Sequence, residues 1–350
     1  MALATNDEVL RSFDEMEHRD IIHQIVFDAY GRRMATCSSD MFVCIWDRED
    51  SGKWIKTSSW KMHGGPVWRV AWAHPEFGQV LATASNDRSV FIWEESIGTF
   101  PTKWAKKASF ADSRTTVTDI KFAPHHLGLQ LATTSTQGIV RIYEAPDITD
   151  LSQWSLLHEI LPFYFRCSSI SWSCNEGLRP LMAVGCDDID SPSHERLALY
   201  ELNYNIRKWQ IVPSTKLDQP RGVNDVSFSP SVTMMGHLLA VACGDVNLYN
   251  ISMRGRSQSS SQPTTYLVQK IAVLADVYKV WRMSWNVTGN TISLCTEDGS
   301  IRVWKSMYMD EWKLVSTTTP QEKIEESKES ISPKKMKKVR TTNPPNVAYY

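Results

Sequence analysis

The stretch VWRVAWAHPEFGQVLATASNDRSVFIW, residues 67–93, contains three short segments with the character of β-strands. Residues 67–72 follow a pattern of one apolar, two variable, one apolar, one variable and one aromatic residue. Residues 81–85 (LATAS) are mostly small. Residues 90–93 close the stretch with Trp93. Short segments of this kind indicate strands, and no long segment of the chain has the 3.6-residue period of a helix. The stretch therefore predicts three consecutive β-strands.

The three-segment pattern occurs six times in the chain, which indicates an internal repeat. The first segments are residues 22–27, 67–72, 117–122, 167–172, 223–228 and 280–285. The closing aromatic residues recur every 47 to 57 residues, at Trp46, Trp93, Tyr143, Tyr200, Tyr249 and Trp304. A candidate fourth strand follows each of them, at residues 54–60, 104–110, 154–158, 209–212, 266–268 and 312–315. Four strands per repeat at this spacing are typical of a β-propeller blade.

The repeats therefore predict an all-β chain that folds as a six-bladed β-propeller. The expected layout is an N-terminal arm at 1–17, a propeller at 18–316 and a tail at 317–350. The expected blades are residues 18–60, 61–110, 111–160, 161–215, 216–270 and 271–316, with boundaries that are approximate. The tail is polar and almost free of apolar runs, so we expect it to be disordered.

Composition narrows the class of protein further. Of 350 residues 42% are hydrophobic, and 38 basic residues balance 39 acidic ones, giving a net charge of −1. Direct nucleic-acid binding and polybasic membrane binding would both need a strong positive excess, so neither is expected. No segment approaches the roughly 20 apolar residues of a membrane span. The seven cysteines form no CxxC pair, which argues against zinc fingers, redox dithiols and a disulfide framework.

Three repeats place an Asp with five residues between it and the closing Trp, as in WD repeats: Asp40 and Trp46, Asp87 and Trp93, Asp298 and Trp304. In WD-repeat propellers such an Asp and Trp form a buried hydrogen-bonded tetrad with a His and a Ser or Thr. The second repeat supplies His63, Thr83 (or Ser85), Asp87 and Trp93. The same residue types would suit a Ser-His-Asp catalytic triad, but a triad is defined by geometry and these residues recur in several repeats. We therefore predict a structural tetrad, no catalytic residue and no enzymatic activity.

Two adjacent histidines, His125 and His126, are the only sequence feature that suggests a metal. No Cys, Asp or Glu lies at ligand spacing around them, and the pair reads as a loop of the third blade. The chain also has no Gly-rich phosphate loop. We therefore expect no metal and no other cofactor.

Six stretches resemble the SEH nucleoporins, homologues of the Sec-thirteen coat protein. They are VWRVAWAHPEFG at 67–78, GRRMATCSSD at 31–40, DSRTTVTDIKFAP at 112–124, IVRIYEAPD at 139–147, LSQWSL at 151–156 and VWRMSWNVTGN at 280–290. The resemblance covers residues 18–316 and is strongest in blades 1–3 and 6.

The resemblance implies a non-enzymatic scaffold at the nuclear envelope. SEH nucleoporins form an open six-bladed WD-repeat propeller, which is completed by a blade that an α-solenoid nucleoporin inserts in trans. The pair belongs to the Y-shaped coat subcomplex of the nuclear pore, with other coat subunits, and supports pore assembly, nucleocytoplasmic transport and mRNA export. The alternatives are a subunit of the GATOR-type complex, which signals amino-acid supply to the TOR kinase at the lysosomal membrane, and a vesicle-coat propeller of the Sec-thirteen kind.

The strands themselves leave the closure of the ring undecided. The last repeat has its own fourth strand at 312–315, so the N-terminal arm is not needed to complete it. An open ring would expose blades 1 and 6 to an inserted partner, by strand addition; alternatively, EVLRS at 8–12 folds back as a clasp. The partner-binding candidates are Ile22, Ile25, Phe27, Trp281 and Trp285.

A basic cluster, PKKMKKVR at 333–340, lies in the tail. It resembles a nuclear-import signal, carried by Lys334, Lys335, Lys337, Lys338 and Arg340. The alternative is a solvated tail that no import receptor reads.

Overall fold

The computed structural model describes residues 18–96, 103–188, 196–212, 221–230, 236–253, 266–274, 278–307 and 311–319. These residues form six four-stranded antiparallel sheets, and their only helical elements are two single turns of 3-10 helix at Pro75–Phe77 and His125–Leu127. The all-β prediction and the six-bladed propeller are confirmed.

Each sheet is one blade, and its strands pair in chain order. In blades 1 to 3 the strands are β1 (Ile22–Phe27), β2 (Arg33–Ser38), β3 (Phe42–Arg48) and β4 (Trp54–Lys61); β5 (Val67–Trp72), β6 (Val80–Ser85), β7 (Val90–Ser96) and β8 (Lys103–Phe110); β9 (Val117–Phe122), β10 (Gln130–Ser135), β11 (Val140–Glu144) and β12 (Ser155–Ile160).

In blades 4 to 6 the strands are β13 (Cys167–Trp172), β14 (Leu181–Cys186), β15 (Leu197–Asn203) and β16 (Lys208–Ile211); β17 (Asp225–Phe228), β18 (His237–Cys243), β19 (Asp245–Met253) and β20 (Tyr266–Leu274); β21 (Val280–Trp285), β22 (Thr291–Thr296), β23 (Ile301–Ser306) and β24 (Trp312–Thr318). The first strand of each blade is innermost, because the first strands of consecutive blades contact one another.

Three of the approximate boundaries cut through a strand. The division between blades 1 and 2 at residue 60 excludes Lys61, the last residue of β4, which pairs with Phe42. The division between blades 5 and 6 at residue 270 falls inside β20, which continues to pair with β19 as far as Leu274, opposite Val246. The propeller also does not end at residue 316, because β24 pairs with β23 up to Thr318, opposite Ile301. β20 and β24 extend beyond the short segments that revealed them, because backbone pairing with the third strand continues past those segments.

The second strand of a blade is rich in small residues because other blades pack closely against it. All six residues of β6 (VLATAS) and of β14 (LMAVGC) are buried, so both faces of these strands are covered by neighbouring blades. Small side chains allow that close approach. Gly185 is the extreme case: a Cβ atom there would lie 2.7 Å from Val223 Cγ1 and 3.0 Å from Ser169 Oγ.

The hairpin between the second and third strands places the WD-type Asp. The backbone N–H of Ser89 donates to Asp87 Oδ1 over 2.9 Å, and Ser300 N–H donates to Asp298 Oδ1 over 3.0 Å. An Asp that bonds the backbone two residues on stabilises a tight turn. The residue after the Asp has a positive φ, 72° at Arg88 and 78° at Gly299. The Asp is therefore first a turn residue, and its second carboxylate oxygen is left for other partners.

Candidate functional site

Five of the junctions between blades are closed by a layer of apolar side chains. Separate buried clusters join blades 1 and 2, 2 and 3, 3 and 4, 4 and 5, and 5 and 6. Polar contacts reinforce them: Val70 N–H donates to Gln24 Oε1 over 3.0 Å, and Met283 N–H donates to Asp225 Oδ2 over 2.9 Å. Among the described residues, no such cluster joins blade 6 to blade 1, and β21 lacks the packing against β1 that the other first strands have with their neighbours. We call this junction the gap.

The third strand of blade 6 shows what the gap leaves uncovered. In every blade this strand carries two apolar side chains that face the following blade. In blades 1 to 5 each is at most 4% exposed: Val43 and Ile45, Val90 and Ile92, Val140 and Ile142, Leu197 and Leu199, Val246 and Leu248. The equivalents in blade 6 differ, because Ile301 is 43% exposed and Val303 is half-buried. Within the described ranges no blade follows blade 6, and no described residue covers these side chains as a following blade does elsewhere.

The second strand of blade 6 differs in the same way. Ser293 pairs with Val303 and Cys295 pairs with Ile301, so these four residues share one face, which we call the blade-6 gap face. Cys295 is exposed and Ser293 is half-buried, whereas the equivalent Ala84 and Ala82 of blade 2 are fully buried. The gap face of blade 6 is thus a shallow surface with an apolar centre and small polar neighbours.

Blade 1 presents the opposite side of the gap. The fourth residue of each first segment of the repeat (223–228 in blade 5) faces the preceding blade and is at most 9% exposed in blades 2 to 6: Val70, Ile120, Ile170, Val226 and Met283. Its equivalent in blade 1, Ile25, is 41% exposed. Phe27, two residues on, is 50% exposed, with its ring 5.6 Å from that of Trp54. Ile25 and Phe27 form the blade-1 gap face.

The gap presents faces rather than strand edges. Every blade turns its innermost edge toward the axis and its outermost edge toward solvent, so unpaired edges are not special to blades 1 and 6. What distinguishes the gap is the pair of uncovered side-chain faces. Insertion of a partner's blade at this junction stays a prediction, and an insert would meet a side-chain face on each side of the gap.

Trp285 does not belong to the gap, contrary to expectation. It lies on the same face of β21 as Met283, packs on the blade 5–6 cluster, and donates from Nε1 to the Ser227 carbonyl over 3.2 Å. The equivalent of Phe27 in any blade faces the preceding blade, and for Trp285 that is blade 5. Ile22 is half-buried at the start of β1. The sequence reasoning missed Ile301 and Val303, although aligning the third strands of the repeats would have marked them.

Trp281 lies at the axis. With His23 of blade 1 it lines an axial cavity of about 390 Å³ to which all six blades contribute. Lys279 Nζ sits 4.0 Å above the Trp281 ring, and the His23 ring stacks on Trp68 with centroids 4.7 Å apart. His23 and Trp281 are therefore the two aromatic side chains that flank the inner end of the gap.

The predicted tetrad of blade 2 is assembled by hydrogen bonds. His63 Nδ1 lies 3.2 Å from Asp87 Oδ2, His63 Nε2 lies 2.8 Å from Thr83 Oγ1, and Trp93 Nε1 donates to Thr83 Oγ1 over 2.9 Å. Burial lowers the pKa of His63, and the opposing effect of Asp87 does not cancel it. Burial also raises the pKa of Asp87, but hydrogen bonds from Ser89 and Gly64 outweigh this and hold that pKa below its usual value.

The tetrad geometry offers no room for a substrate. Thr83 carries the hydroxyl that would be the nucleophile if these residues were a catalytic triad. It has no exposed surface and already accepts a hydrogen bond from Trp93. Blade 1 contains the same arrangement: His18 Nε2 lies 2.8 Å from Thr36 Oγ1, to which Trp46 Nε1 donates over 3.0 Å. The arrangement recurs in blades 1 and 2, where it links the second and third strands to the segment that precedes the first strand.

Two segments singled out in the sequence lie outside the described residues. They are the N-terminal arm at 1–17, including EVLRS, and the basic cluster of Lys334, Lys335, Lys337, Lys338 and Arg340.

Within the described ranges, no helix is long and apolar enough to cross a membrane.

The WD40 family (WD domain, G-beta repeat) matches residues 8–47, 54–94 and 271–305. With the six-bladed fold and the tetrads, these matches define the chain as a WD-repeat propeller. It is 47% identical over 307 residues to Nucleoporin SEH1 of Bos taurus and 46% identical over 307 residues to that of Homo sapiens, in each case covering 85% of both chains. The chain belongs to the SEH1 family of nucleoporins.

A solved structure shares the fold at low sequence identity. A chain of the "Crystal Structure of Mitotic Checkpoint Complex" is similar over 83% of this chain and 76% of its own length, with a TM-score of 0.60 and 15% identity. At that identity the likeness extends to the propeller fold alone.

Proposed function

We propose that this chain is a non-enzymatic scaffold subunit of the Y-shaped nuclear pore coat, and that its gap receives a blade from an α-solenoid nucleoporin. The observation that carries the proposal is the pair of uncovered gap faces, one on each side of the same junction. Membership of the SEH1 nucleoporin family supports the nuclear pore as the setting.

The size of the gap faces indicates what kind of element fits. Ile25, Phe27, Ile301 and Val303 are each roughly half covered. Burying the remainder of such side chains contributes roughly 1 kcal/mol each, or about 4 kcal/mol together. That corresponds to a Kd of about 1 mM, before any ordering cost. A single added strand would bind too weakly, so the insert must be a sheet with contacts of its own on both faces.

The first experiment tests the gap by co-purification. Ile301→Asp places a charge in the centre of the blade-6 gap face, where an inserted blade would remove it from water. We expect at least a tenfold loss of binding to the α-solenoid nucleoporin. Ile211→Asp is the matched control, because Ile211 is equally apolar and is exposed on the outer strand β16, away from the gap. Equal binding by both variants would contradict the proposal.

The second experiment uses two natural cysteines. Cys295 lies on the blade-6 gap face and Cys174 lies in the loop after β13; both are exposed, and the other five cysteines are buried. We expect an alkylating reagent to label both thiols of the free chain and only Cys174 when the partner is bound. Continued labelling of Cys295 in the complex would place the partner elsewhere.

In this setting the chain would support pore assembly, nucleocytoplasmic transport and mRNA export as a structural subunit of the coat at the nuclear envelope. Two other assemblies would use the same gap: a GATOR-type complex in amino-acid signalling to the TOR kinase at lysosomes, and a vesicle coat. Affinity purification with mass spectrometry separates the three by the identity of the α-solenoid partner.

A further inference from the structure

Two loops at one end of the propeller bring three metal-ligating side chains together. The 3-10 turn His125–Leu127 joins β9 to β10, and Glu176 lies in the loop that joins β13 to β14 of the next blade. Glu176 Oε1 is 3.1 Å from His125 Nε2 and 3.9 Å from His126 Nδ1. Sequence spacing did not reveal the cluster, because the carboxylate comes from a different blade.

We propose that His125, His126 and Glu176 bind one Zn²⁺ ion. One atom from each of the three side chains lies within 4.8 Å of the other two. Two imidazole nitrogens and a carboxylate oxygen are a donor set that Zn²⁺ accepts in proteins with a water molecule as the fourth ligand.

The present spacing is close to what the ion requires. Zn²⁺ binds nitrogen and carboxylate oxygen at about 2.0–2.2 Å, so two ligand atoms of a tetrahedral site are about 3.4 Å apart. The cluster therefore needs an adjustment of up to about 1.5 Å, which partly exposed side chains can make by rotation. The His74 ring stacks on His125 with centroids 4.4 Å apart, so one ligand is already held in place.

The three side chains come from two blades, His125 and His126 from the β9–β10 turn of blade 3 and Glu176 from the β13–β14 loop of blade 4. The bound ion would connect blade 3 to blade 4 at the end of the propeller opposite the hairpins that line the axial cavity. This site is separate from the gap, so its failure would leave the proposed function untouched.

The test is a zinc titration of tag-free full-length protein against a chromophoric chelator. We expect one equivalent of Zn²⁺ to bind with a Kd below about 10 µM, and Glu176→Gln and His126→Ala each to weaken it at least tenfold. Glu49→Gln is the control: Glu49 is an exposed glutamate in the turn after β3 of blade 1, with no contact to the cluster, and its replacement should change nothing.

Co²⁺ provides a second readout, since a tetrahedral site gives intense visible absorption that His126→Ala should abolish. The absence of stoichiometric binding, or equal affinity in the wild type and Glu176→Gln, would overturn the proposal and leave a hydrogen-bonded His–Glu cluster. Circular dichroism of each variant verifies folding, and Glu176→Gln alters an exposed side chain, so it remains informative if a His variant unfolds.

Discussion

Blades 2 and 6 have the same four-stranded plan and the same WD-type Asp and Trp, yet they are covered differently. Val90 and Ile92 of blade 2 are buried, while their equivalents in blade 6, Ile301 and Val303, are partly open to solvent. In the described part of the chain, blade 2 packs against a neighbour on both sides and blade 6 against one. The comparison teaches that an apolar side chain at these positions is buried only where a neighbouring blade covers it. The sequence of its own blade is not enough to bury it.

The hydrogen bonds inside blades 2 and 6 differ as well. In blade 2, Trp93 donates to Thr83, whereas Trp304 Nε1 of blade 6 has no hydrogen-bond partner among the residues that the structure describes. Asp298 bonds Thr296 and Ser300 within its own turn. Blade 6 therefore keeps the turn function of the Asp without a completed tetrad.

The largest expected effect comes from placing a charge at the matched positions in the free chain. Val90→Asp buries a carboxylate between blades 2 and 3, so we expect a loss of roughly 4 kcal/mol or more, or no folded protein. Ile301→Asp should cost less than about 1 kcal/mol, as exposed substitutions do. Urea unfolding measures both. Similar losses would mean that the blade-6 gap face is covered in solution, as a clasp by residues 8–12 would cover it.

The next effect distinguishes a complete tetrad from an incomplete one. Asp87→Ala leaves His63 and the turn without their acceptor, so the free energy of unfolding should fall by roughly 1–3 kcal/mol. Asp298→Ala should cost less, because Asp298 is exposed and its carboxylate bonds, among the described residues, its own turn and Arg302. Thermal unfolding of the two variants gives the order, and the reverse order would refute a structural role for the blade 2 tetrad.

A smaller effect concerns pH. The pKa of His63 is lowered by burial in the folded state, whereas an unfolded His titrates near 6.5. As pH falls below about 6.5, the unfolded chain takes up the proton first, so stability decreases toward pH 5. His63→Gln should reduce this slope, although it lowers stability overall. His237, whose pKa burial lowers to about 4, contributes in the same direction and persists in the variant. An unchanged slope would show that His63 is not held neutral.

The smallest expected effect is that of deleting residues 2–12. Blade 6 already has four strands, because β24 occupies its outer position. The melting temperature and partner binding of the deletion variant should match those of the full chain within error. A variant that aggregates would mean that the arm completes a blade.

The fold could be predicted from the sequence because propeller strands show period-2 alternation and end in closing aromatic residues such as Trp93. It was harder to predict which neighbouring blade a side chain faces. Trp285 looked like a gap residue until the packing showed that its position always faces the preceding blade. The association of Glu176 with His125 could not be predicted, since it depends on how two loops of different blades lie in space.

The uncovered junction between blades 6 and 1 also affects how the molecule should unfold. A closed ring of blades has no first or last member, whereas the described residues, with no buried cluster between blades 6 and 1, form a short one-dimensional array with two ends. In such arrays each unit is stabilised by its nearest neighbours, and terminal units are the weakest. Blades 1 and 6 are therefore the places where native-state opening begins, and amide exchange there should be fastest. A partner bound in the gap would cover both terminal blades at once. Blades 1 and 6 would then no longer open first, and the propeller would unfold cooperatively.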